Sequence, residues 1–447
     1  MKCALAVLVI GLSFLLAGCG SNAAFSVRPL YLQGEKHPAE PRLEGEWTPV
    51  TLGITGISSD ESEHWSVTAQ KDGCYQGQHR KKEAEKPEQV EIYRICLVSL
   101  DNKWFFDQEL ESQNVGTNMI SAKDLAPDLT AAHMAGRVWP EQDLIRLTRL
   151  RSAWLKQNQP EELRLDRDHS TLFTGSTAQL REIMTQHGED SNAMTSPLYL
   201  CRPGTDCSLR VVEDQLSREP DDTEILDGSA IFYAGIENYD KAIALLGRAA
   251  ELADPKEQAT ARAHVGIARL LKRDFSGARN EFAIAQRQSP DPEGQANGAL
   301  WTGISYFLDG KYNEAHAAFA GVKAPPDESR AMLIILDYAS LVRMGRGRKA
   351  DLFLSDQMAQ FVGDADQQLL LLRAAGKIKD FSPADFTDEQ LLQGDGVLYA
   401  LVRLGKGDQK AAGDALRRSI NGAGKWNPVY VGAKIELERL DASEQKK

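Results

Sequence analysis

The spacing of apolar residues divides this chain of 447 residues into two parts. Between residues 43 and 157 the apolar residues form short segments rich in β-branched and aromatic side chains, separated by turn formers such as Lys71-Asp72-Gly73. Segments of this kind are typical of antiparallel strands in a meander or barrel. Between residues 221 and 447 the apolar residues recur at helical spacing. The sequence therefore predicts an α+β multidomain protein, with an N-terminal antiparallel β domain and an all-α C-terminal half.

The helical half contains one pattern three times in succession. Each unit has a small residue, an aromatic residue, an alanine and a bulky residue at matching spacing. The three sets are Ala230, Tyr239, Ala242 and Leu246, then Gly266, Phe275, Ala278 and Phe282, then Gly303, Tyr312, Ala315 and Phe319. The alanines recur at a period close to the ~34 residues of tetratricopeptide repeats, which the pattern resembles. The resemblance implies pairs of helices that stack into a solenoid. Two weaker units, after Tyr338 and after Tyr399, lack the aromatic residue.

The β domain opens with Gly45-Glu46-Trp47, which resembles the Gly-x-Trp start of lipocalin-like barrels. The resemblance implies a barrel in which Trp47 closes one end. A barrel that is open at its other end could hold a small apolar ligand. Residues 158–220 are expected to connect the two halves through a short helix, begun by a capping box at Ser176-Thr177-Ala178-Gln179, and a cysteine loop.

An apolar stretch from Ala4 to Leu15 precedes Leu16-Ala17-Gly18-Cys19 near the start of the chain. The stretch is too short to span a hydrocarbon core about 30 Å thick, so it is typical of a signal peptide. The four residues after it resemble the lipobox of bacterial lipoproteins, which implies removal of residues 1–18 and a lipid on Cys19. Residues 19–42 would then be a polar tether. Because no aspartate follows the cysteine, we expect the protein on the periplasmic face of the outer membrane.

Four cysteines remain once Cys3 leaves with the signal peptide and Cys19 carries the lipid. An even number of cysteines in an oxidising compartment favours disulfides, and four cysteines allow three pairings. The predicted pairs are Cys74 with Cys96, on neighbouring predicted strands, and Cys201 with Cys207, around a turn-forming loop. Their spacing does not match a zinc knuckle, so we expect no metal site.

The formal net charge of -12 argues against a nucleic-acid partner, because binding phosphates needs clustered lysine and arginine. The basic run His79-Arg80-Lys81-Lys82 is followed at once by acidic residues, so we expect a solvated loop there. The sequence carries no hydrolase, metalloprotease or nucleotide-binding motif. We therefore expect no enzyme activity and no cofactor.

The first helices of the second and third repeat units are more apolar than a solvated groove needs. The residues concerned are Ile267, Leu270, Leu271, Ile304, Phe307 and Leu308. Either they form the core against the second helices, or they line a groove that takes a partner helix or the β domain. We expect a scaffold that binds a protein partner through its helical repeats, in envelope assembly or secretion. The alternative is a carrier or sensor of a small apolar ligand in the barrel. The sequence leaves the oligomeric state and the identity of the partner open.

Overall fold

The computed structural model describes residues 23–53, 55–59, 62–83, 86–115, 118–121, 132–165, 171–255, 257–322, 329–361, 365–378 and 381–444. Within these ranges the chain forms two compact units. One contains the residues up to Thr51 together with Ile57–Glu213, and the other contains Leu52–Gly56 together with the residues from Asp214 onward. No helix in the described ranges is long and apolar enough to cross a membrane. Cys19 and the lipobox lie outside the described residues.

The first unit is built on strands that close into a barrel. The strands are β1 (Phe25–Ser26), β2 (Gly45–Gly53), β3 (Gly56–Ser59), β4 (Glu63–Ala69), β5 (Tyr75–Lys81), β6 (Gln89–Leu100), β7 (Lys103–Val115), β8 (Asn118–Ser121), β9 (His133–Pro140), β10 (Leu144–Arg149), β11 (Leu163–Leu165), β12 (Thr171–Phe173) and β13 (Leu198–Cys201). Around the barrel the order is β9, β10, β13, β2, β4, β5, β6 and β7, and β7 pairs back onto β9. Every pairing in this circle is antiparallel. The predicted antiparallel β domain is therefore a closed barrel.

The interior of the barrel is packed with aromatic and aliphatic side chains. One cluster of buried residues has members on every barrel strand, among them Trp47, Trp65, Tyr93 and Phe106. Only the inner face brings residues from all strands together, so this cluster lies inside the barrel. A second cluster covers the outer face of β6, β7 and β9 with helices α1 (Ser152–Asn158) and α2 (Thr177–His187).

Trp47 lies in the interior of the barrel near the start of β2, and the resemblance to lipocalin-like barrels implies that such a tryptophan closes one end. Its side chain is fully buried, and its indole Nε1 donates to the carbonyl oxygen of Leu43 at 2.9 Å. The guanidinium of Arg202 lies over the indole, 4.3 Å from the ring centroid. The same guanidinium donates to three backbone carbonyl oxygens of neighbouring segments. The cation–π contact and these hydrogen bonds fix the indole in place.

Two segments that we expected outside the β domain belong to it. The tether predicted for residues 19–42 is wrong for its described part, because Leu30 is fully buried and its N–H donates to Asp107 Oδ2 at 2.7 Å. The connector predicted for residues 158–220 is wrong at β13, which pairs with β10 and β2 to complete the barrel. Both segments are short, and their partners lie far away in sequence.

The second unit contains pairs of stacked helices. The remaining α-helices in the described ranges are α3 (Ser208–Arg218), α4 (Thr223–Gly235), α5 (Tyr239–Leu252), α6 (Gln258–Leu271), α7 (Phe275–Gln288), α8 (Pro292–Leu308), α9 (Tyr312–Ala320), α10 (Arg330–Arg343), α11 (Gly347–Gln360), α12 (Ala365–Ala374), α13 (Asp388–Gln393), α14 (Asp395–Gly405), α15 (Gln409–Gly422) and α16 (Pro428–Glu444). From α4 to α11 each helix packs against the next. The predicted stack of helix pairs is confirmed.

Glycines let the two helices of a pair approach closely. A Cβ on Gly266 would lie 2.5 Å from Cε1 of Phe282, and a Cβ on Gly303 would lie 2.5 Å from Cε1 of Phe319. Both rings are buried, and so are the alanines at the helix crossings, Ala242, Ala278 and Ala315. The small residues of the repeat pattern therefore mark the points where the helices touch.

The bends within the pairs α4–α5, α6–α7, α8–α9, α10–α11 and α14–α15 share one geometry. The N–H of the third bend residue donates to a carbonyl in the last turn of the first helix, for example Asp274 N to Arg269 O at 2.8 Å. The middle residue has a left-handed backbone, and the five middle residues are Glu237, Arg273, Gly310, Gly345 and Gly407. A left-handed backbone costs a residue with a Cβ about 1–2 kcal/mol. Glycine is the expected residue at this position, so Glu237 and Arg273 are exceptions.

Candidate functional site

Five of the six residues that we predicted to line a groove are buried inside the helix stack. Their exposed fractions are 0% for Leu270, 4% for Leu271, 9% for Ile304, 1% for Phe307 and 7% for Leu308, whereas Ile267 is half-buried. A buried side chain does not contact a partner, so these five residues belong to the core. The groove interpretation is wrong for them, and the core interpretation is the correct one.

The C-terminal helix α16 lies across the bends of the helix pairs. It packs against α15, and it also contacts α6 and α14. Its buried residues include Val431, Ala433, Ile435 and Leu440. The C-terminal end of the helical half therefore folds back onto earlier helix pairs and covers part of their surface.

Charged side chains attach α16 to three successive helix pairs. Arg273, in the bend between α6 and α7, forms two hydrogen bonds with Glu438 at 2.8 and 3.0 Å. Arg439 donates to the last carbonyl oxygen of α8 at 2.7 Å. Arg343, at the end of α10, pairs with Glu436. The hydrogen bonds from Arg273 lower the pKa of Glu438, so this pair is charged at neutral pH.

Glu436 and Glu438, the two acidic residues of α16 that pair with arginines, differ in burial. Glu436 is 1% exposed, and its carboxylate pairs with both Arg343 and Arg439. A buried carboxylate is tolerated when it is paired in this way, and removing a partner is costly. Arg273 and Glu438 are 40% and 51% exposed, and an exposed pair contributes about 0.2–1 kcal/mol. The pair at Glu438 therefore adds little to the stability of the fold.

Exposed apolar side chains surround the turn before α16. Lys425 Nζ lies 3.1 Å from Glu237 Oε1, and Asn427 Nδ2 donates to the carbonyl oxygen of Leu392 at 3.0 Å. Three exposed apolar residues take part in these contacts or lie next in sequence to residues that do, and we call them the Trp426 patch: Ile236 at 53%, Leu392 at 42% and Trp426 at 43% exposure. Exposed apolar residues grouped in this way are typical of a protein-binding surface, and tryptophan is a frequent anchor there.

A buried network of charged side chains surrounds His79, in the same cross-strand row as Trp47, because Trp47 pairs with Trp65 and Trp65 pairs with His79. Glu63 is the first residue of β4, two positions before Trp65. His79 Nε2 lies 2.9 Å from Glu63 Oε1, and His79 Nδ1 lies 3.0 Å from Glu91 Oε2. Tyr93 also donates its hydroxyl to Glu91 at 2.9 Å. Burial opposes the charged imidazole, but the two carboxylates outweigh burial and raise the pKa of His79 above 6.5. The network thus links β4, β5 and β6 through the imidazole of His79, whose charged form the two carboxylates favour.

His79 is the residue of this network that sequence reasoning missed. The solvated loop expected at His79–Lys82 is wrong for the residues up to Lys81, because Tyr75–Lys81 is the barrel strand β5. The signal lies in the alternation along the strand, where buried Tyr75, Gly77 and His79 are separated by more exposed polar residues. The charged residues Arg80 and Lys81 obscure this alternation, because a histidine next to arginine and lysine in the sequence is typical of an exposed surface.

Two buried hydrogen-bond donors on the interior face of the barrel have no partner among the described residues. They are Trp65 Nε1 and Gln108 Nε2, on residues that are 7% and 3% exposed. The indole of Trp65 also stacks on the imidazole of His79, with 4.5 Å between the ring centroids. At Gly136 the interior has no spare room, since a Cβ there would lie 2.4 Å from the ring of Phe106. An oxygen that accepts from these donors would remove the cost of leaving them unpaired.

The structure pairs Cys74 with Cys96 and Cys201 with Cys207, as the sequence predicted. The Cα atoms are 4.4 Å apart in the first pair and 6.3 Å apart in the second. His37 lies beside the first pair, with a ring nitrogen and both sulfurs within 4.8 Å of one another. Such a group could hold a metal ion, but here the two sulfurs bond to each other and are not free to act as ligands.

Comparison with known proteins adds little to this description. No family model matches the chain, and no curated protein matches it. One similar solved structure is described as "Crystal structure of APC/C hetero-tetramer Cut9-Hcn1". It is 15% identical, with a TM-score of 0.31, and the match covers 65% of this chain and 44% of that chain. This chain thus matches less than half the length of that protein, and a likeness this distant carries no argument about fold or function.

Proposed function

We propose that this protein is a lipid-anchored scaffold on the periplasmic face of the outer membrane, and that its helical half binds a protein partner during envelope assembly or secretion. The Trp426 patch is the observation that carries the proposal. Its three side chains expose apolar surface that the fold leaves uncovered, and burial of that surface against a partner is favourable. The stacked helix pairs support the same proposal, because a solenoid offers a long surface to a binding partner.

A photo-crosslinking amino acid in place of Trp426 tests protein binding in intact cells. We expect a protein adduct, and we expect the further change Ile236→Asp to abolish it, because a charge would then enter the apolar contact. The matched control places the crosslinker at Leu352 on α11, which is 66% exposed and lies outside the Trp426 patch. If positions 426 and 352 give the same adducts, or if Ile236→Asp changes nothing, the patch is not a binding surface.

The lipid anchor is tested separately through Cys19, which the lipobox resemblance assigns. Cys19→Ser is expected to abolish palmitate labelling and to release the protein from the membrane fraction, because the thiol is the site of acylation. Cys74→Ser removes a cysteine of a disulfide instead and should leave labelling intact. Palmitate label on the Cys19→Ser protein would contradict the anchor.

A second candidate function is a carrier of a small ligand in the barrel. The unpartnered donors of Trp65 and Gln108 favour it, although they point to a ligand with an acceptor oxygen rather than to a purely apolar one. Native mass spectrometry of the purified chain would show such a ligand as added mass, and Gln108→Leu should reduce its occupancy. A single mass equal to that of the acylated chain would count against the carrier.

A further inference from the structure

Glu237 and Arg273 stand at bend positions where the backbone favours glycine. The later bends have Gly310, Gly345 and Gly407 at the same middle position and with the same left-handed backbone. A residue with a Cβ is strained there, and such strain is found where a residue has a further role. Both exceptional side chains form ion pairs that are largely exposed, and exposed pairs add little net stability. Stability of the fold therefore does not account for these two residues.

The middle positions of the first three bends all face the C-terminal segment. Two of these contacts are ion pairs, and the third is a close approach of a guanidinium to a glycine. The contacts are Glu237 with Lys425, Arg273 with Glu438, and Gly310 with Arg439, whose Nη2 would lie 3.8 Å from a Cβ on the glycine. The turn before α16 and α16 itself thus contact these three bends one after another.

The chemistry of α16 matches the surface beneath it. Arg273 and Arg343 supply positive charge on the bend side, and they pair with Glu438 and Glu436 on the helix. Val431 and other apolar residues of α16 are buried beside these acidic residues. Glu436 and Glu438 of α16 therefore lie against basic residues of the surface, although α16 also carries Lys434 and Arg439. Charge complementarity of this kind sets partner choice more than affinity.

We propose that the bends of the pairs α6–α7, α8–α9 and α10–α11 form a binding surface for an acidic amphipathic helix of the protein partner, and that α16 occupies this surface until the partner displaces it. The inference rests on the proposed function, because it names the chemistry of the partner. Arg273 is strained because it recognises the acidic helix, and Glu237 is strained because it positions the turn that leads into α16. Displacement of α16 would also move the turn that carries Trp426.

The test uses the full chain and a fluorescein-labelled peptide with the sequence of residues 425–444. Glu438→Arg in the chain places a positive charge against Arg273, so it weakens the internal α16 and leaves the surface intact. We expect this variant to bind the peptide at least about tenfold more tightly than the unchanged chain, because apparent affinity scales with the fraction of chains whose surface is free. Asp441→Arg, the same kind of charge change at an exposed position of α16, should bind as weakly as the unchanged chain. Adding Arg273→Gly to Glu438→Arg should weaken binding of the peptide about two- to fivefold, because it removes the partner of the peptide's Glu438.

Hydrogen exchange of the α16 amides shows whether α16 is released from the surface. Each result of the peptide experiment then either supports or contradicts the proposal. If α16 stays as protected in Glu438→Arg as in the unchanged chain, the ion pair does not hold it and the proposal is wrong. If α16 is released but the peptide does not bind, or if the variant forms a dimer instead, the surface does not take a partner helix.

Should Glu438→Arg fail to fold, Arg273→Gly alone gives the bend its favoured residue. It should speed exchange in α16 about two- to fivefold and leave α6 and α7 as protected as before. Crosslinking at position 426 does not depend on the peptide, so failure here is distinguishable from failure of the proposed function.

Discussion

Gly266→Ala tests whether the close approach of paired helices holds the solenoid together. The added Cβ would lie 2.5, 2.7 and 3.0 Å from three ring carbons of Phe282, and that ring is fully buried. The ring also stacks on Trp301, so moving it disturbs a second contact, and overpacking should cost about 1–3 kcal/mol. Alanine is favoured over glycine within a helix by about 1 kcal/mol, which opposes the steric cost.

Gly247→Ala is the matched control for this change. Gly247 lies within α5, and a Cβ there would meet no atom within 4 Å. Both changes gain the same helix propensity, so the difference between them isolates the steric cost and should be about 1–3 kcal/mol. We expect Gly247→Ala to be as stable as the unchanged chain or more stable, and Gly266→Ala to be the less stable of the two variants.

Urea unfolding and hydrogen exchange of α6 and α7 measure the difference. Gly266→Ala should speed exchange in both helices, and adding Phe282→Leu should restore part of the protection, because the smaller side chain leaves room for the methyl group. The reasoning is refuted if Gly266→Ala and Gly247→Ala are equally stable. It is also refuted if Phe282→Leu lowers the stability of Gly266→Ala as much as it lowers that of the unchanged chain.

Three further predictions concern buried groups. The raised pKa of His79 means that its ion pairs stabilise the barrel fully below the unfolded value of about 6.5, and that this stability is lost as pH rises through the folded value. His79→Gln should remove that pH dependence from urea unfolding followed by tryptophan fluorescence, and an unchanged profile would contradict it. Burial raises the pKa of Asp395 from 3.8 to about 6, so its ionisation destabilises the fold as pH rises through that interval. Asp395→Asn should therefore be more stable than the unchanged chain at pH 7, by about 1 kcal/mol after allowance for partial exposure, and equal stability would contradict it. Leu271→Glu places a charge in the core, so it should lower the melting temperature of the helical half rather than only release a partner; a native melting curve would contradict the buried position.

The helix pairs could be predicted from the sequence because their packing is local. A small residue on one helix meets a large one on the next after a short bend, so Gly266 and Phe282 are close in sequence as well as in space. The same holds for Gly303 and Phe319. A pattern that repeats at one period therefore contains the main contacts of the stack.

The completion of the barrel could not be predicted in the same way. β13 has only four residues, and its partners β10 and β2 lie on either side of it in space but far away in the chain. Leu30 likewise binds the side chain of Asp107, on a distant strand. The burial of His79 was missed for a related reason. The carboxylates that make its burial tolerable come from Glu63 and Glu91 on the neighbouring strands. Contacts with other segments of the chain decide all three cases, and the local pattern alone does not identify those partners.

The surface of the helical half was ambiguous for a different reason. An apolar residue on a first helix fits a core and a groove equally well, and only the position of other helices decides between them, so Leu270 and Phe307 proved to be core. The bends carry a more specific signal, because their left-handed middle residue has a strong preference for glycine. At Glu237 and Arg273 the left-handed backbone disfavours the residue that is present, because a side chain with a Cβ is strained there. A departure of this kind from the preference of its own backbone points to a contact outside the repeat, and in this chain both departures make that contact with the C-terminal segment.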